Sequence, residues 1–317
     1  YASIERSPVF GGRVRRVDDR CARALPGVRA VVAIDADAVP VTDDCPPMPN
    51  GVAVVADSTW AAMQGRRALA IEWDSRGGES ESTRAMRDAA VAATKGPPRF
   101  VRRRIGDPDS ALAGAHTRLE AVYELPLLAH ATMEPMNCTA HVTAHGCELW
   151  APTQNPASVR IAVAAAVGLP PAAVTVHMVR MGGGFGRRFY ADFAVEAALA
   201  SKAAGRAVQV VWTREDDITH DYYRPAGYHL VRAGIDASGD LVAWTQHLAT
   251  ASRGAYLGWK TDPGSDLSVS ELEPYDLPAG VVAHYLAGAT PIASKIPRGQ
   301  WRSVESSATV FVSQSFL

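Results

Sequence analysis

Short apolar runs, separated by polar turns and Ala-rich segments, make up the first hundred residues. β-Branched residues fill the runs at 28–34 and 52–56, as they do in buried strands. Ser58 and Thr59 are residue types that commonly cap helices, so a helix is expected to begin there. The pattern predicts strands at 28–34, 52–56 and 69–73 and helices at 60–64 and 83–94.

The rest of the chain combines longer strands with two helical segments. Apolar and polar residues alternate at 117–125 as in a half-buried strand, and an Ala-rich helix ends at Gly168, ahead of Pro170. Strands are predicted at 117–125, 138–142, 147–151, 174–179, 207–212, 228–235 and 241–250, and helices at 156–167 and 190–204. The strand at 174–179 leads into three glycines and then a helix, which predicts a β–glycine loop–α–β unit.

Length and turn residues divide the chain into two parts. The chain has 317 residues, which is more than one ordinary core requires. The segment Gly96-Pro97-Pro98 has the composition of a linker. We therefore predict an α+β fold, with a small α/β domain over residues 1–98 and an α+β domain with mixed sheets over residues 99–317.

Composition and charge exclude several classes of function. There are 32 Lys and Arg residues against 33 Asp and Glu, so no broad basic surface is expected to bind nucleic acid. The richest apolar stretch, 161–174, is broken by glycine and proline and is too short for a transmembrane segment. Four scattered cysteines without a Cys-x-x-Cys pair argue against a zinc or iron–sulfur site within this chain.

The glycine triplet, Gly182 to Gly184, is the first candidate for chemistry. Glycine N–H groups at the start of a helix can approach ligand oxygen atoms closely. Arg187 and Arg188 follow, and a guanidinium can bind phosphate through two hydrogen bonds. By itself, such a triplet is more often a loop where a strand and a helix pack closely. A dinucleotide-binding turn fits badly because the spacing is not Gly-x-Gly-x-x-Gly, and the Gly-Lys-Ser/Thr of a Walker loop is missing.

Short blocks of sequence add a second line of inference. They are PVFGG at 8–12, HATMEPMN at 130–137, APTQNP at 151–156, MGGGFGRR at 181–188, WTREDD at 212–217 and IPRGQWR at 296–302. In this order the blocks resemble the molybdenum-binding subunit of the xanthine oxidase/aldehyde oxidoreductase family. The resemblance covers essentially the whole chain and is closest to the branch typified by the large (beta) subunit of isoquinoline 1-oxidoreductase.

The resemblance implies a fold, a cofactor and partners. Members of this family hydroxylate an electrophilic carbon of an N-heterocycle or an aldehyde, with water as the oxygen source. Residues 1–98 would form an a/b hammerhead-like domain, and residues 99–317 the first part of the molybdopterin-binding domain. The cofactor would be molybdopterin cytosine dinucleotide carrying molybdenum, with [2Fe–2S] clusters on a small partner subunit. Because the chain starts without methionine and stops inside an apolar run, we interpret it as a piece of a longer polypeptide whose C-terminal portion is missing here.

The resemblance also assigns roles by position. Gln154 matches a glutamine whose amide hydrogen-bonds an oxo ligand of molybdenum, and Arg298 matches an arginine of a second loop that contacts the cofactor. The expected cofactor-binding residues are Gln154, Gly183, Gly184, Phe185, Gly186, Arg187 and Arg298. Molybdenum would be held through the pterin, with no side chain as a direct metal ligand.

Two departures from the family pattern concern substrate and catalysis. Phe189 stands where xanthine-oxidising members have a glutamate that anchors the purine. A phenyl ring cannot hydrogen-bond a purine, so we expect Phe189 to line a pocket for an aromatic N-heterocycle or an aldehyde. No residue matches the family's general base, a glutamate near the C-terminal end of the full subunit. Glu134 is interpreted as structural, and this segment alone is expected to be inactive.

Other functions stay open at the level of sequence. The chain could be a noncatalytic scaffold or assembly fragment that keeps the fold without the cofactor. A nicotinamide-dependent dehydrogenase is disfavoured by the glycine spacing. Members of this branch often reach the periplasm and pass electrons to membrane cytochromes, which suggests a periplasmic or membrane-associated location by resemblance alone.

Overall fold

The computed structural model describes residues 1–42, 45–76, 78, 81–258, 282–304 and 306–317. The chain folds into two compact units, and each is built from separate stretches of sequence. The first comprises Tyr1–Ser80, Ala129–Tyr222 and Lys295–Pro297, and the second comprises Glu81–Leu128, Tyr223–Ser294 and Arg298–Leu317. These units interleave along the chain, and the domain boundary expected at residue 98 stays a prediction.

Fourteen strands and nine α-helices are present in the described residues. The strands are β1 (Ala2–Arg6), β2 (Arg13–Asp18), β3 (Val28–Ile34), β4 (Gly51–Ala56), β5 (Ala70–Asp74), β6 (Phe100–Ile105), β7 (Thr117–Leu125), β8 (Asn137–Val142), β9 (Cys147–Ala151), β10 (Val174–Met178), β11 (Val208–Val211), β12 (Gly227–Ile235), β13 (Leu241–Thr250) and β14 (His284–Pro291). The helices are α1 (Arg20–Arg23), α2 (Thr59–Arg67), α3 (Thr83–Ala93), α4 (Pro108–Gly114), α5 (Pro156–Val167), α6 (Asp192–Ala204), α7 (Arg214–Thr219), α8 (Arg253–Tyr256) and α9 (Ser306–Phe316).

A mixed seven-stranded sheet in the order β10-β9-β8-β11-β1-β4-β3 forms the centre of the first unit. Strand β1 pairs in parallel with β11, with Ala2 opposite Val210, and antiparallel with β4. Strands β8 and β9 form an antiparallel hairpin, and β10 pairs in parallel with β9 at the edge. Every residue of β4 is buried, which explains its continuous apolar sequence. The Ala-rich helices α5 and α6 pack against each other, and most residues of α6 are buried.

The second unit contains a five-stranded sheet in the order β6-β14-β13-β12-β7. Strands β12 and β13 form an antiparallel hairpin, while β14 runs parallel to β13. Its core includes Val231, Trp244 and Ala287. Helix α9 closes this core, because the Phe316 ring stands edge-on to Trp244 with centroids 5.2 Å apart.

The predicted α+β fold with mixed sheets is confirmed. The strand expected at 117–125 and the helix expected at 156–167 have the predicted bounds, because period and end residues specify both locally. The β–glycine loop–α–β unit is also present. Its strands β10 and β11 are not neighbours, however, since the β8–β9 hairpin lies between them. Apolar periodicity reports which residues are buried and carries no information on strand order.

The described residues also bear on membrane-spanning segments and on the cysteines. No helix in this part of the chain has both the length and the apolarity to cross a bilayer. Cys138 and Cys147 are buried free thiols. Burial, with a smaller contribution from Glu148, raises the pKa of the Cys147 thiol to about 11, so this thiol is unreactive at neutral pH.

Two buried histidines in the second sheet should make the protein less stable in acid. Burial lowers the pKa of His229 to about 3, and burial together with Arg232 lowers the pKa of His247 to about 4. The unfolded chain binds protons at these histidines near pH 6.5, whereas the folded chain does not until a lower pH. The free energy of unfolding should therefore fall as the pH drops from 6.5 towards 4, by up to about 1.4 kcal/mol per pH unit for each histidine.

Urea unfolding between pH 7 and 4 measures this dependence. His247→Gln should give a shallower dependence on pH, because it removes one of the two groups. His145→Gln, at an exposed histidine, should leave the dependence unchanged. If the two variants had the same pH dependence as the parent protein, the expectation for His247 would be wrong.

Candidate cofactor site

The glycine loop follows strand β10 and leads into helix α6 in the first unit. The backbone φ angle is 103° at Gly183, 53° at Phe185 and 104° at Gly186. Glycine adopts this left-handed region freely, whereas phenylalanine rarely does, and such outliers cluster at functional loops. The Phe185 ring is 45% exposed, so the unusual backbone conformation places an apolar ring at the surface.

Gln154 packs directly against this loop. Its Oε1 accepts a hydrogen bond from Gly186 N at 3.1 Å, and its own N–H donates to the carbonyl of Arg188 at 2.9 Å. A Cβ atom at Gly184 would lie 2.4 Å from Gln154 Oε1, so a side chain there would displace the Gln154 amide. Asn155 caps helix α5 by accepting from Ser158 N at 3.3 Å, which fixes the backbone next to Gln154. The structure thus brings Gln154 and the glycine loop together.

The loop presents hydrogen-bond donors that the protein leaves unused. In the described part of the chain, the N–H groups of Gly183, Gly184 and Phe185 donate to no acceptor. Because Gln154 Oε1 must face the N–H of Gly186, the Gln154 amide nitrogen points elsewhere, and it has no acceptor among the described residues either. Several N–H groups gathered in one loop make a concave surface suited to the oxygen atoms of a ligand.

Arg187 lies beneath the loop and is completely buried. Its Nη1 and Nη2 donate to the Asp192 carboxylate at 2.9 and 2.7 Å, and its Nε lies 2.9 Å from Asp221 Oδ1. Burial alone would lower the pKa of Arg187, but the two carboxylates raise it above its ordinary value. The side chain is therefore charged and held within the protein. That Arg187 binds cofactor phosphate stays a prediction.

Arg188 is equally buried and connects the loop to the HATMEPMN block. Its Nε donates to the carbonyl of Gly183 at 2.8 Å, and its Nη2 lies 2.7 Å from the Glu134 carbonyl and 3.1 Å from Glu134 Oε2. Glu134 also accepts from Gly182 N at 2.7 Å and from Asn137 Nδ2 at 2.8 Å. These contacts agree with the interpretation of Glu134 as a structural residue.

Asp221 is a site residue that the sequence did not reveal. Its Oδ2 accepts from the backbone N–H of His130 at 2.5 Å and lies 2.9 Å from His130 Nδ1. Burial would raise the pKa of Asp221, but His130 and Arg187 together hold it below its usual value. Asp221 lies outside every resembling block, so no motif marked it. Asp192 could have been found, because it lies in the first turn of a predicted helix just after Arg187.

Phe189 is half-buried at the end of the loop. Its ring packs edge-on against Tyr190 with centroids 6.3 Å apart, and Tyr190 in turn contacts Tyr222 at 4.6 Å. Phe189, Tyr190 and Tyr222 therefore form an aromatic cluster that follows the glycine loop in the chain. The role of Phe189 in a substrate pocket stays a prediction.

Arg298 belongs to the second unit and is 5% exposed. Its Nε donates to the carbonyl of Ser252 at 2.8 Å, and its Nη1 and Nη2 lie 3.3 Å from the carbonyl of Ser294. The Tyr256 ring lies 5.1 Å from the guanidinium carbon. These contacts position the side chain, and its contact with a cofactor stays a prediction. Among the described residues, no group of three or more His, Cys, Asp or Glu residues could hold a metal ion directly.

Gly184→Ala is expected to displace the Gln154 amide, because the added methyl group would collide with Oε1. Overpacking of this kind typically lowers the free energy of unfolding by about 1–3 kcal/mol. Gly96→Ala, at a glycine with open space around it, should stay within about 0.5 kcal/mol of the parent protein. Urea titrations of both variants measure the difference, and equal stabilities would contradict the close approach at Gly184.

Comparisons with known proteins place the chain among related sequences. A model of the molybdopterin cofactor-binding domain matches residues 93–311. The chain is 28% identical over 297 residues to the isoquinoline 1-oxidoreductase subunit beta of Brevundimonas diminuta, covering 88% of this chain and 36% of the relative. It is 30% identical over 255 residues to a membrane-bound aldehyde dehydrogenase (pyrroloquinoline-quinone) of Gluconacetobacter polyoxogenes, covering 80% and 31%. The chain thus spans about a third of the length of these relatives.

The fold is shared with a solved structure. The aldehyde oxidoreductase of Desulfovibrio gigas superposes with a TM-score of 0.73 at 16% identity, over 98% of this chain and 37% of that protein. At this level of identity the likeness shows the fold alone. The family model, in contrast, covers most of the chain and includes both Gln154 and the glycine loop. The chain therefore belongs to the molybdopterin cofactor-binding domain family.

Proposed function

We propose that this chain is part of a molybdenum hydroxylase subunit that oxidises an N-heteroaromatic compound or an aldehyde, with water as the oxygen source. The observation that carries the proposal is the Gln154 amide, fixed beside unused N–H groups of the glycine loop. Family membership supports the class of cofactor, and the names of the relatives support the class of substrate.

The donor set fits the proposed cofactor, molybdopterin cytosine dinucleotide. Gln154 would donate through its amide nitrogen to an oxo ligand, and the N–H groups of Gly183, Gly184 and Phe185 would face further oxygen atoms. Arg298 is proposed as a further residue that contacts the cofactor, while Arg187 would support the loop from below. When bound, the cofactor would supply two-electron redox chemistry at molybdenum, and [2Fe–2S] clusters on a small partner subunit would carry the electrons away.

The chain's own residues would orient the reaction and leave proton transfer to another group. Gln154 cannot rotate freely, because Gly186 N–H holds its oxygen and Gly184 packs beneath it. The nearest carboxylate of the loop, Glu134, already accepts from Gly182, Asn137 and Arg188. A general base must reach the reacting group within hydrogen-bond distance and be available for a proton. We therefore assign no general base within this chain.

Molybdenum and pterin content tests the proposal. The protein would be purified, with the chains that accompany it, from a host that makes the molybdenum cofactor, and it should contain both components in similar amounts. Gln154→Ala removes one preorganised donor and should lower turnover by roughly a hundredfold. Gln314→Ala, at an exposed glutamine of α9, should leave turnover unchanged.

Mass spectrometry of the metal and fluorescence of the oxidised pterin give the two contents. A well-folded complex that contained neither molybdenum nor pterin would contradict the proposal and favour a noncatalytic scaffold. Equal turnover in Gln154→Ala and Gln314→Ala would show that Gln154 is not the residue facing the metal.

Phe189 narrows the range of substrates that we propose. Its ring offers no hydrogen bond to a purine, so a purine bound beside it would bury polar groups without a partner, which costs binding free energy. We expect quinoline or benzaldehyde to be oxidised at least about tenfold faster than xanthine, measured as kcat/KM with an artificial electron acceptor. Steady turnover of xanthine at a rate equal to the other two would contradict this assignment.

A further inference from the structure

We propose that Arg188 and Glu134 form a positioning pair that sets where the Gln154 amide sits relative to the glycine loop. Neither residue belongs to the expected set of cofactor-binding residues. The inference rests on the proposed function only in taking Gln154 and the loop as the surface that faces the cofactor. The geometry of the pair is a property of the chain itself.

Arg188 contacts both the segment that contains Gln154 and the glycine loop. It does so through its backbone carbonyl and its guanidinium. Its backbone carbonyl accepts from Gln154 N at 2.9 Å and from Thr153 Oγ1 at 3.2 Å. Its guanidinium donates to the carbonyl of Gly183 at 2.8 Å and to that of Pro152 at 3.4 Å. A shift of Arg188 would therefore move the backbone beside Gln154 and the carbonyl of the loop at the same time.

Glu134 holds this guanidinium from the opposite side. Its carboxylate contacts Nη2 of Arg188 at 3.1 Å and accepts from Gly182 N at 2.7 Å, while its own N–H donates to the carbonyl of Gly182 at 3.2 Å. A Cβ at Gly182 would lie 2.5 Å from the Cβ of Glu134, so the two backbones are as close as they can be. Glu134 thus fixes the start of the loop and the charge of Arg188 together.

Charge and shape make both partners hard to replace. The Arg188 side chain is completely buried, and Glu134 is the carboxylate it pairs with in the described part of the chain. Losing that carboxylate would leave a buried cation without its counter-charge, which strongly favours movement of the side chain. Lysine carries its three donors on one nitrogen and would not reproduce the separate Nε contact to Gly183 and Nη2 contact to Glu134.

Hydrogen exchange in the protein without cofactor tests the pair directly. The readout is the Gly186 amide, which bonds to Gln154 Oε1 and touches neither member of the pair. Glu134→Ala should speed its exchange by roughly tenfold, and Glu134→Gln, which keeps an oxygen acceptor, by roughly threefold. Amides of the sheet core, such as Leu149, should keep their rates. Glu120→Ala, which breaks the exposed Glu120–Arg232 ion pair, is the matched control and should change nothing at Gly186.

The outcomes separate local positioning from general stability. Unchanged exchange at Gly186 in both Glu134 variants would overturn the inference, and so would an equal acceleration at Gly186 and at Leu149. If Glu134→Ala does not fold, Glu134→Gln decides alone, with faster exchange confined to the loop as the supporting result.

A second measurement keeps the two proposals apart. The molybdenum content of the parent protein tests the proposed function, whereas exchange at Gly186 tests the pair without any cofactor. Protein without molybdenum would overturn the proposed function and leave the exchange result valid. Protein with molybdenum but unchanged exchange in the Glu134 variants would overturn the pair alone.

Discussion

Two guanidinium groups buried beneath a glycine loop are the constraint on which the site depends. A buried cation is stable only where carboxylates and carbonyls meet its donors. Asp192, Asp221 and Glu134 supply the carboxylates, and each comes from a different stretch of the chain. The ion pairs of Arg187 and Arg188 therefore hold together the loop, the start of helix α6 and the two segments that carry Asp221 and Glu134. The position of the loop therefore depends on the ion pairs buried beneath it.

The sheet of the first unit places the Gln154 segment and the glycine loop at the same edge. Strands β9 and β10 are parallel neighbours, and Ala151 at the end of one lies opposite Met178 at the end of the other. The segment with Gln154 follows β9 and the glycine loop follows β10, so both leave the sheet at the same side. Ligands of open α/β sheets commonly bind at the carboxyl ends of parallel strands for this reason. The caps of α5 and the buried first turn of α6 then fix how far each segment extends.

The sequence predicts the local elements well because local rules specify them. The alternation at 117–125 and the end residues of the helix at 156–167 act within a few residues of one another. The order of strands depends on long-range pairing, which periodicity does not encode. Resemblance to a family supplied Gln154 and the loop together, since nothing in the residues alone pairs them. The surroundings of Arg187 could not be predicted, because the sequence does not distinguish a surface arginine from a buried one. Only the fold places Asp221 beside Arg187.

The central position of strand β1 has a consequence for how the molecule is made. Strand β1 precedes its parallel partner β11 in the chain, and the β8–β9 hairpin, the glycine loop and helix α6 are synthesised between them. Parallel pairing between such distant segments is slow, and unpaired strands are prone to aggregation while they wait. Until β11 has been made, the edge of β1 that it will cover has no partner strand, so this edge is open to wrong pairing during synthesis.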